Sequence, residues 1–423
     1  MKVQDLLQGI EVCECGRSHP CPIKYVFIGE GEVKSLATSV ADYNNVLLVA
    51  DENTYRAGGA EVEAVLLDKI KNRVIFDGSK ILVPDEKALE RIDCAITEST
   101  DLVLGVGSGV INDLCKQASF KRGLKYQIVA TAPSMDGYAS VGSALILDGM
   151  KVTLNAAVPE AIIADTKILA TAPMEMILSG YGDIIGKYSC LSDWKLANLV
   201  NGEYICPVVL KETYNQVENT RRLASGLLKK DTEAIAALAS ALVAVGILMA
   251  YVGNSRPASG SEHHFSHFFE IVGLVKGEEY LPHGIDVFYS AAETARIREN
   301  LVKIESIDGI IPEFSKEKYE QKIREVYAGV AEEVIALQNK LGFYENMSTR
   351  VNAYKEKWQQ IRELLSDAPS FSEMCDLLCE VGMSYDDFVS FYGKEKIENA
   401  TKYAKDLKDR YSVLWLYFDL FVR

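Results

Sequence analysis

The chain has five histidines in 423 residues, and three of them, His263, His264 and His267, stand in "SGSEHHFSHFFE"; a fourth, His283, follows in "YLPHGIDV". On a helix His263 and His267 are four residues apart and share a face, while His264 points about a quarter-turn away. Asp183, in "GYGDIIGKY", is a carboxylate placed at the start of a helical segment with glycines on both sides, and His283 precedes a glycine in a loop able to fold back. Two neutral imidazoles and one carboxylate make a three-ligand metal site whose open position accepts a substrate oxygen. A lone histidine is usually surface or a satisfied core group; four of five gathered between residues 263 and 283 argue for metal binding or catalysis.

A second constellation lies in "DLVLGVGSGVINDLCK", where an apolar strand runs into Gly105, Gly107, Ser108 and Gly109 and then into a helix. Such a turn aims backbone N–H groups at a pyrophosphate from the positive end of a helix dipole. The spacing is not G-x-G-x-x-G, and the acid suited to a ribose, Asp51, precedes the glycines instead of following them, which disfavours the usual Rossmann order. The loop alone leaves open whether it binds a nucleotide or is simply a tight turn. The next strand ends in "TAPSMDGYAS", bringing Thr131, Ser134, Asp136 and Ser140 to the strand ends where ligands bind in open α/β sheets. Asp136 is the side chain suited to a substrate hydroxyl, although Asp136-Gly137 also reads as a turn.

The remaining histidine, His19, sits with Cys13, Cys15 and Cys21 in "CECGRSHPC", a zinc-compatible composition whose spacing matches no common structural zinc module. Cys375 and Cys379, four apart, read as one buried helix stripe.

These residues need elements to hold them. Up to about residue 165 the apolar runs are short and β-branched: "KYVFI", "NVLLVA", "RVIF", "DLVLGV", "YQIVATA", "SALIL" and "EAIIAD". Helical patterns separate several of them, at Glu61–Asn72, Glu86–Thr97 and Val110–Lys121. Strand alternating with helix predicts a parallel sheet covered on both faces. Beyond Pro173 helical periodicity dominates, in Gln216–Lys230, Lys316–Gly342, Thr349–Leu365 and Asn399–Val413, so an α/β domain over 1–170 and an all-helical domain over 171–423 are expected. The length suits two cores, since single cores seldom exceed roughly 250–300 residues.

Net charge −15 disfavours nucleic acid and anionic membranes as partners and requires that any anionic substrate meet local basic groups. An odd nine cysteines, with no secretory pattern at the start, suggest free thiols in a reducing cytoplasm. "AIAALASALVAVGILMAYV" is long enough to span a bilayer, but its seven alanines suit a helix packed on all sides, and a buried helix is expected.

With these pieces placed, the chain resembles the sn-glycerol-1-phosphate dehydrogenases, a branch of the metal-dependent polyol dehydrogenases that also includes glycerol dehydrogenase and, more remotely, 3-dehydroquinate synthase. The resemblance rests on "GVGSGVIND", "TAPSMDGYASVGSALI", "IIADTKIL", "GYGDIIGKYSCLSDWKL", "SRPASGSEHHFSH" and "PHG", in that order, with "LKDRYSVLWL" also in keeping. It covers the chain from about Lys24 to the C-terminus and leaves the "CECGRSHPC" head without a function. It implies the dehydroquinate synthase-like, iron-containing alcohol dehydrogenase-like fold.

Carried over by position, the resemblance makes Asp183, His263 and His283 the ligands of one divalent ion, with zinc, nickel and iron as candidates. Asp136 and His267 become substrate contacts, with Asp183 serving both metal and substrate. Gly107, Ser108, Gly109, Val110, Ile111, Asp113, Thr131, Ser134 and Ser140 become contacts of NAD or NADP, and Asp51 the partner of the adenosine ribose. The implied reaction is NAD(P)-dependent reduction of dihydroxyacetone phosphate to sn-glycerol 1-phosphate, in a cytoplasmic homodimer or larger homo-oligomer. Lys187, Arg256 and the Ser259-Gly260-Ser261 turn are phosphate anchors by position only, and Lys187 has Asp193 as an alternative partner. A glycerol or other polyol dehydrogenase, a dehydroquinate synthase-like lyase and a non-enzymatic sensor are the competing expectations.

Overall fold

A computed structural model of the chain describes residues 1–147, 150–310 and 314–422. Six β-branched runs form one parallel sheet: β1 (Tyr25–Gly29), β2 (Val46–Asp51), β3 (Ile70–Phe76), β4 (Leu102–Gly107), β5 (Lys125–Ala130) and β8 (Ala161–Asp165), in the order β1-β8-β5-β4-β2-β3. The central strands carry apolar residues on both faces, as a sheet covered on both sides requires; every residue of β4 and of β8 is buried. Val46, Leu48, Leu102, Leu104, Val106, Val129 and Ile163 share one core cluster. β3 lies on one side of β2 and β4 on the other, so the strand order reverses between β2 and β4, the position where open α/β sheets take their ligands.

The run "SALIL" belongs elsewhere. Gly142–Leu147 (β6) pairs antiparallel with Met150–Asn155 (β7) in a separate hairpin, and β7 has too mixed a composition to stand out in the sequence. Among the helices, Glu86–Ala95 and Gly109–Arg122 match the periodicity. The pattern over Glu61–Asn72 is only half helix: Ala60–Leu66 ends where Leu67 turns to positive φ, and β3 begins at Ile70.

The chain divides into two compact units, Met1–Ile184 with Lys211–Ser255, and Ile185–Leu210 with Arg256–Arg423. The first holds the sheet, the hairpin and the alanine-rich helix Thr232–Val252. That helix is the one described segment apolar and long enough to cross a membrane, and 72% of its apolar window is buried inside the protein. Its small side chains let it press on the turn Asp136–Ala139: a Cβ on Gly246 would stand 2.7 Å from both the Ala139 Cβ and the Asp136 carbonyl oxygen.

The second unit is helical throughout its described residues. The pattern over Lys316–Gly342 breaks into Lys316–Tyr327 and Ala331–Leu341, because Ala328 takes φ +47° between them. The helices Ser261–Lys276 and His283–Val302 pack together, and the first is held further by Phe269 stacked on Tyr392 at 3.9 Å between ring centroids.

Candidate active site

The turn after β4 forms as its composition dictates. Ser108 stands at the N-cap position of the helix Gly109–Arg122 without a side-chain capping bond, and a Cβ on Gly107 would lie 2.5 Å from the Ile111 side chain, so only glycine lets the strand enter the helix this closely. Val110 and Ile111 form its first turn, with Ile111 buried. Asp51 ends β2, Gly107 ends β4 and Thr131 follows β5, which places three of the expected cofactor residues at the C-terminal edge of adjacent strands. The Asp51 carboxylate also caps a short helix, its Oδ1 accepting the N–H groups of Asn53 and Thr54 at 2.7 and 2.9 Å.

The segment from Thr131 to Ser140 is pinned by a residue that sequence reasoning passed over. Lys116 is fully buried and donates to the carbonyls of Gly137, Ser140 and Gly142 at 2.9–3.0 Å. Ser140 donates its hydroxyl to Gly137 at 3.0 Å, Ser134 accepts the Ser179 hydroxyl at its carbonyl, and the Asp113 carboxylate accepts the Ala144 N–H of the hairpin at 2.9 Å. A cationic side chain about two turns into a helix reads as solvated surface unless its carbonyl partners are known, so the composition around Lys116 does not single it out.

Asp183 is 1% exposed and stands near the end of the helix Met174–Ile185, not at the start of one. Its Oδ2 accepts the N–H of Asp136 at 3.0 Å, tying it to the Asp136–Ala139 turn. Gly180 allows that approach, because a Cβ there would fall 1.8 Å from the Pro133 carbonyl oxygen.

His263, His267 and His283 come together. Their ring centroids lie 5.0 Å (263 to 283), 5.6 Å (267 to 283) and 6.1 Å (263 to 267) apart. His283 is the first residue of a helix, after Pro282, and not part of a loop. His264 points away into the core, fully buried, where burial holds its pKa well below the ordinary value. Asp183 belongs to the first compact unit, and His263 and His283 to the second.

The two imidazoles are oriented from behind. The Glu262 carboxylate, fully buried, sits 2.7 Å from His263 Nδ1 and also accepts the Gly260 N–H at 2.8 Å. An ionised carboxylate only accepts, so Nδ1 carries the proton and Nε2 presents its lone pair. Ser266 Oγ stands 3.1 Å from His283 Nδ1 and plays the corresponding part. Glu262 was legible as an acid beside a histidine, but neighbours on a helix point about 100° apart and do not read as a pair. The turn before this helix is anchored by Asp193, whose carboxylate accepts the N–H groups of Ser261 and Val413, each at 2.7 Å, and whose pKa burial pushes up to about 6. Of the suggested phosphate anchors, Arg256 gives its guanidinium to both oxygens of Glu203 (2.7 and 2.8 Å) and to the Tyr411 carbonyl, while Lys187 is buried.

Residues 28–173 match the family model described as "Iron-containing alcohol dehydrogenase". The chain is 33% identical over 306 residues to a glycerol-1-phosphate dehydrogenase [NAD(P)+] of Halalkalibacterium halodurans, covering 70% of this chain and 77% of that one. Among solved structures, an iron-containing alcohol dehydrogenase from Thermococcus thioreducens is 17% identical with a TM-score of 0.56, covering 93% of this chain and 98% of the other. A sulfoacetaldehyde reductase from Bifidobacterium kashiwanohense, solved with NAD+, is 13% identical with a TM-score of 0.59, covering 96% and 99%. At these identities the two structures speak to the fold alone.

Proposed function

Because the chain belongs to the NAD(P)-dependent glycerol-1-phosphate dehydrogenase family, we propose that it reduces dihydroxyacetone phosphate to sn-glycerol 1-phosphate, with Asp183, His263 and His283 as the ligands of one divalent ion. The observation that carries this reading is the pair of imidazoles, His263 and His283, with ring centroids 5.0 Å apart and the His263 ring fixed by Glu262 so that Nε2 faces outward. Bound there, the divalent ion supplies Lewis acidity for the substrate's C2 oxygen, and the nicotinamide supplies the hydride.

The chain's own residues do the rest. Asp136, its backbone hydrogen-bonded to Asp183, accepts a hydrogen bond from a substrate hydroxyl. His267, one turn past His263 and partly exposed, relays a proton from solvent to the C2 oxygen as the ketone becomes a hydroxyl. The backbone N–H groups of Gly107, Ser108, Gly109, Val110 and Ile111 hold the pyrophosphate at a helix N-terminus, where the dipole favours negative charge, and Asp113, Thr131, Ser134 and Ser140 border that cradle. Asp51, using one oxygen as a helix cap, keeps the other for the ribose hydroxyls, and its charge opposes a 2′-phosphate, which favours NAD over NADP. Lys187 and the Ser259-Gly260-Ser261 turn are the phosphate anchors we favour, since Arg256 is engaged elsewhere. We take zinc as the first candidate metal, with nickel and iron behind it, and a homo-oligomer in the cytoplasm as the working form.

The test is an NADH and NADPH oxidation assay with dihydroxyacetone phosphate and with dihydroxyacetone, before and after chelation, with product stereochemistry determined. The reading expects turnover of the phosphorylated ketone to the sn-1 product, lost on chelation and restored by a divalent ion. Equal turnover of the unphosphorylated ketone, or activity indifferent to chelation, would overturn it.

A further inference from the structure

We infer that Lys116 is a positioning residue of the reaction: its ammonium fills a cage of three backbone carbonyls and so sets the turn that carries Asp136 and Ser140 against the helix whose N-terminus takes the cofactor. What that turn touches rests on the function proposed above; the cage itself does not. Lys116 stands about two turns into Gly109–Arg122, is fully buried, and donates to the carbonyls of Gly137 (2.9 Å), Ser140 (3.0 Å) and Gly142 (2.9 Å). All of these residues belong to the first compact unit.

Three carbonyl partners fix the charge state. A carbonyl oxygen only accepts, and a neutral amine has two N–H groups and a lone pair that would face the third oxygen, so the cage requires the ammonium with its three donors. Burial works against that charge, and Asp113, whose Oδ1 lies 3.8 Å from Nζ, works for it. With every N–H engaged, the group has no proton to hand to a substrate, which sets it apart from acid–base work and leaves it an electrostatic clasp. Lysine suits this better than arginine, since its donors spread in three directions from one atom instead of lying in a plane.

Two other contacts meet the same turn. Asp183 accepts the Asp136 N–H at 3.0 Å, and the alanine-rich helix lies so close that a Cβ on Gly246 would stand 2.7 Å from the Asp136 carbonyl oxygen. Neither a carboxylate nor a glycine without a side chain supplies a donor to the carbonyls that follow Asp136. Lys116 supplies it, at the turn and at the first residue of β6. Asp113 uses its Oδ2 for the Ala144 N–H at 2.9 Å, so one helix holds the turn through a cation and the hairpin through an anion three residues earlier. Without Lys116 the three carbonyls lose a charged donor, for which the single proton of the Ser140 hydroxyl, on Gly137 at 3.0 Å, is no substitute. The turn then shifts and takes the Asp136 side chain with it.

The test is Lys116→Met, which keeps the apolar stem and removes the charge and its donors, in the full-length protein with metal occupancy matched to wild type. NADH affinity, read by fluorescence titration, should stay level because the glycine turn at the helix N-terminus is untouched. The kcat for dihydroxyacetone phosphate should fall by about 100-fold, the scale of a displacement of about 1 Å at a reacting centre. A purely structural lysine would instead lower the unfolding temperature and leave kcat per folded molecule alone. A kcat equal to wild type, or a loss of NADH affinity as large as the loss of kcat, overturns the inference. Hydrogen exchange needs no substrate: amides of residues 136–142 should exchange faster by about tenfold or more in Lys116→Met, the worth of one charge-assisted hydrogen bond, with β1 unaffected, and unchanged exchange also overturns it. Should Lys116→Met fail to fold, Lys116→Arg decides: it keeps the charge, but its planar donors cannot meet three carbonyls from one point, so kcat should still fall, and a wild-type kcat sinks the inference. If the wild type leaves the phosphorylated ketone untouched while exchange responds as stated, the functional reading fails and the cage stands; if the wild type turns it over and Lys116→Met keeps its kcat, the reverse holds.

Discussion

Glu262 supplies no ligand atom to the proposed ion, yet its buried carboxylate fixes the tautomer and orientation of His263. Glu262→Gln keeps the shape and an acceptor oxygen but removes the charge that raises imidazole basicity. Losing such an outer partner costs about 10–100-fold in metal affinity. Competition against a chelator of known affinity should record at least the lower figure, with the helix content unchanged; unaltered affinity would show that His263 does not need the carboxylate. His267 separates from the ligands in the opposite way. As a proton carrier and not a ligand, it should tolerate His267→Gln with full metal occupancy while kcat falls by roughly 10²-fold and its acid limb flattens. Loss of the metal in this variant would instead make His267 a ligand.

The elements position these side chains through close backbone approaches, and Gly180 is the clearest. A methyl group there would overlap the Pro133 carbonyl oxygen, so the helix carrying Asp183 must move away from the loop carrying Asp136. Gly180→Ala is expected to destabilise by about 1–3 kcal/mol, as overpacking does, and to lower kcat by a larger factor than a surface Gly→Ala. Thermal unfolding beside steady-state kinetics checks both, and an unchanged kcat would mean that the Asp136–Asp183 hydrogen bond is dispensable. The same elements mark how far the sequence could be read. Strands such as "DLVLGV" and "EAIIAD" announced themselves because fully buried parallel strands are apolar on both faces. The breaks at Leu67 and Ala328 did not, since positive φ at a non-glycine residue is imposed by packing and leaves no trace in composition. Asp183, His263 and His283 were legible as residue types. Glu262 and Lys116 were not, because their roles depend on partners that only the folded chain brings near.

At the scale of the whole molecule the fact to reconcile is the charge. A net −15 surrounds a site proposed to take a phosphorylated ketone and a dinucleotide, both anionic. The summed field of such a protein lowers the local concentration of an anion at its surface, and salt shortens the range of that field, from a Debye length of about 30 Å at 0.01 M to about 8 Å at 0.15 M. Local donors such as a helix N-terminus act within the first few ångströms and are screened far less. Raising salt between those limits should therefore weaken the repulsion more than the attraction. The kcat/KM for dihydroxyacetone phosphate should rise, by roughly threefold or more given the several-kT potentials such charges produce, while kcat at saturating substrate stays level. A neutral ketone, assayed in parallel, should show no such rise. A steady fall of kcat/KM with salt for the phosphorylated substrate would mean that a basic funnel around the site outweighs the acidic surface, and the phosphate anchors would then have to be sought among exposed lysines and arginines instead of the buried Lys187 and the Ser259–Ser261 turn.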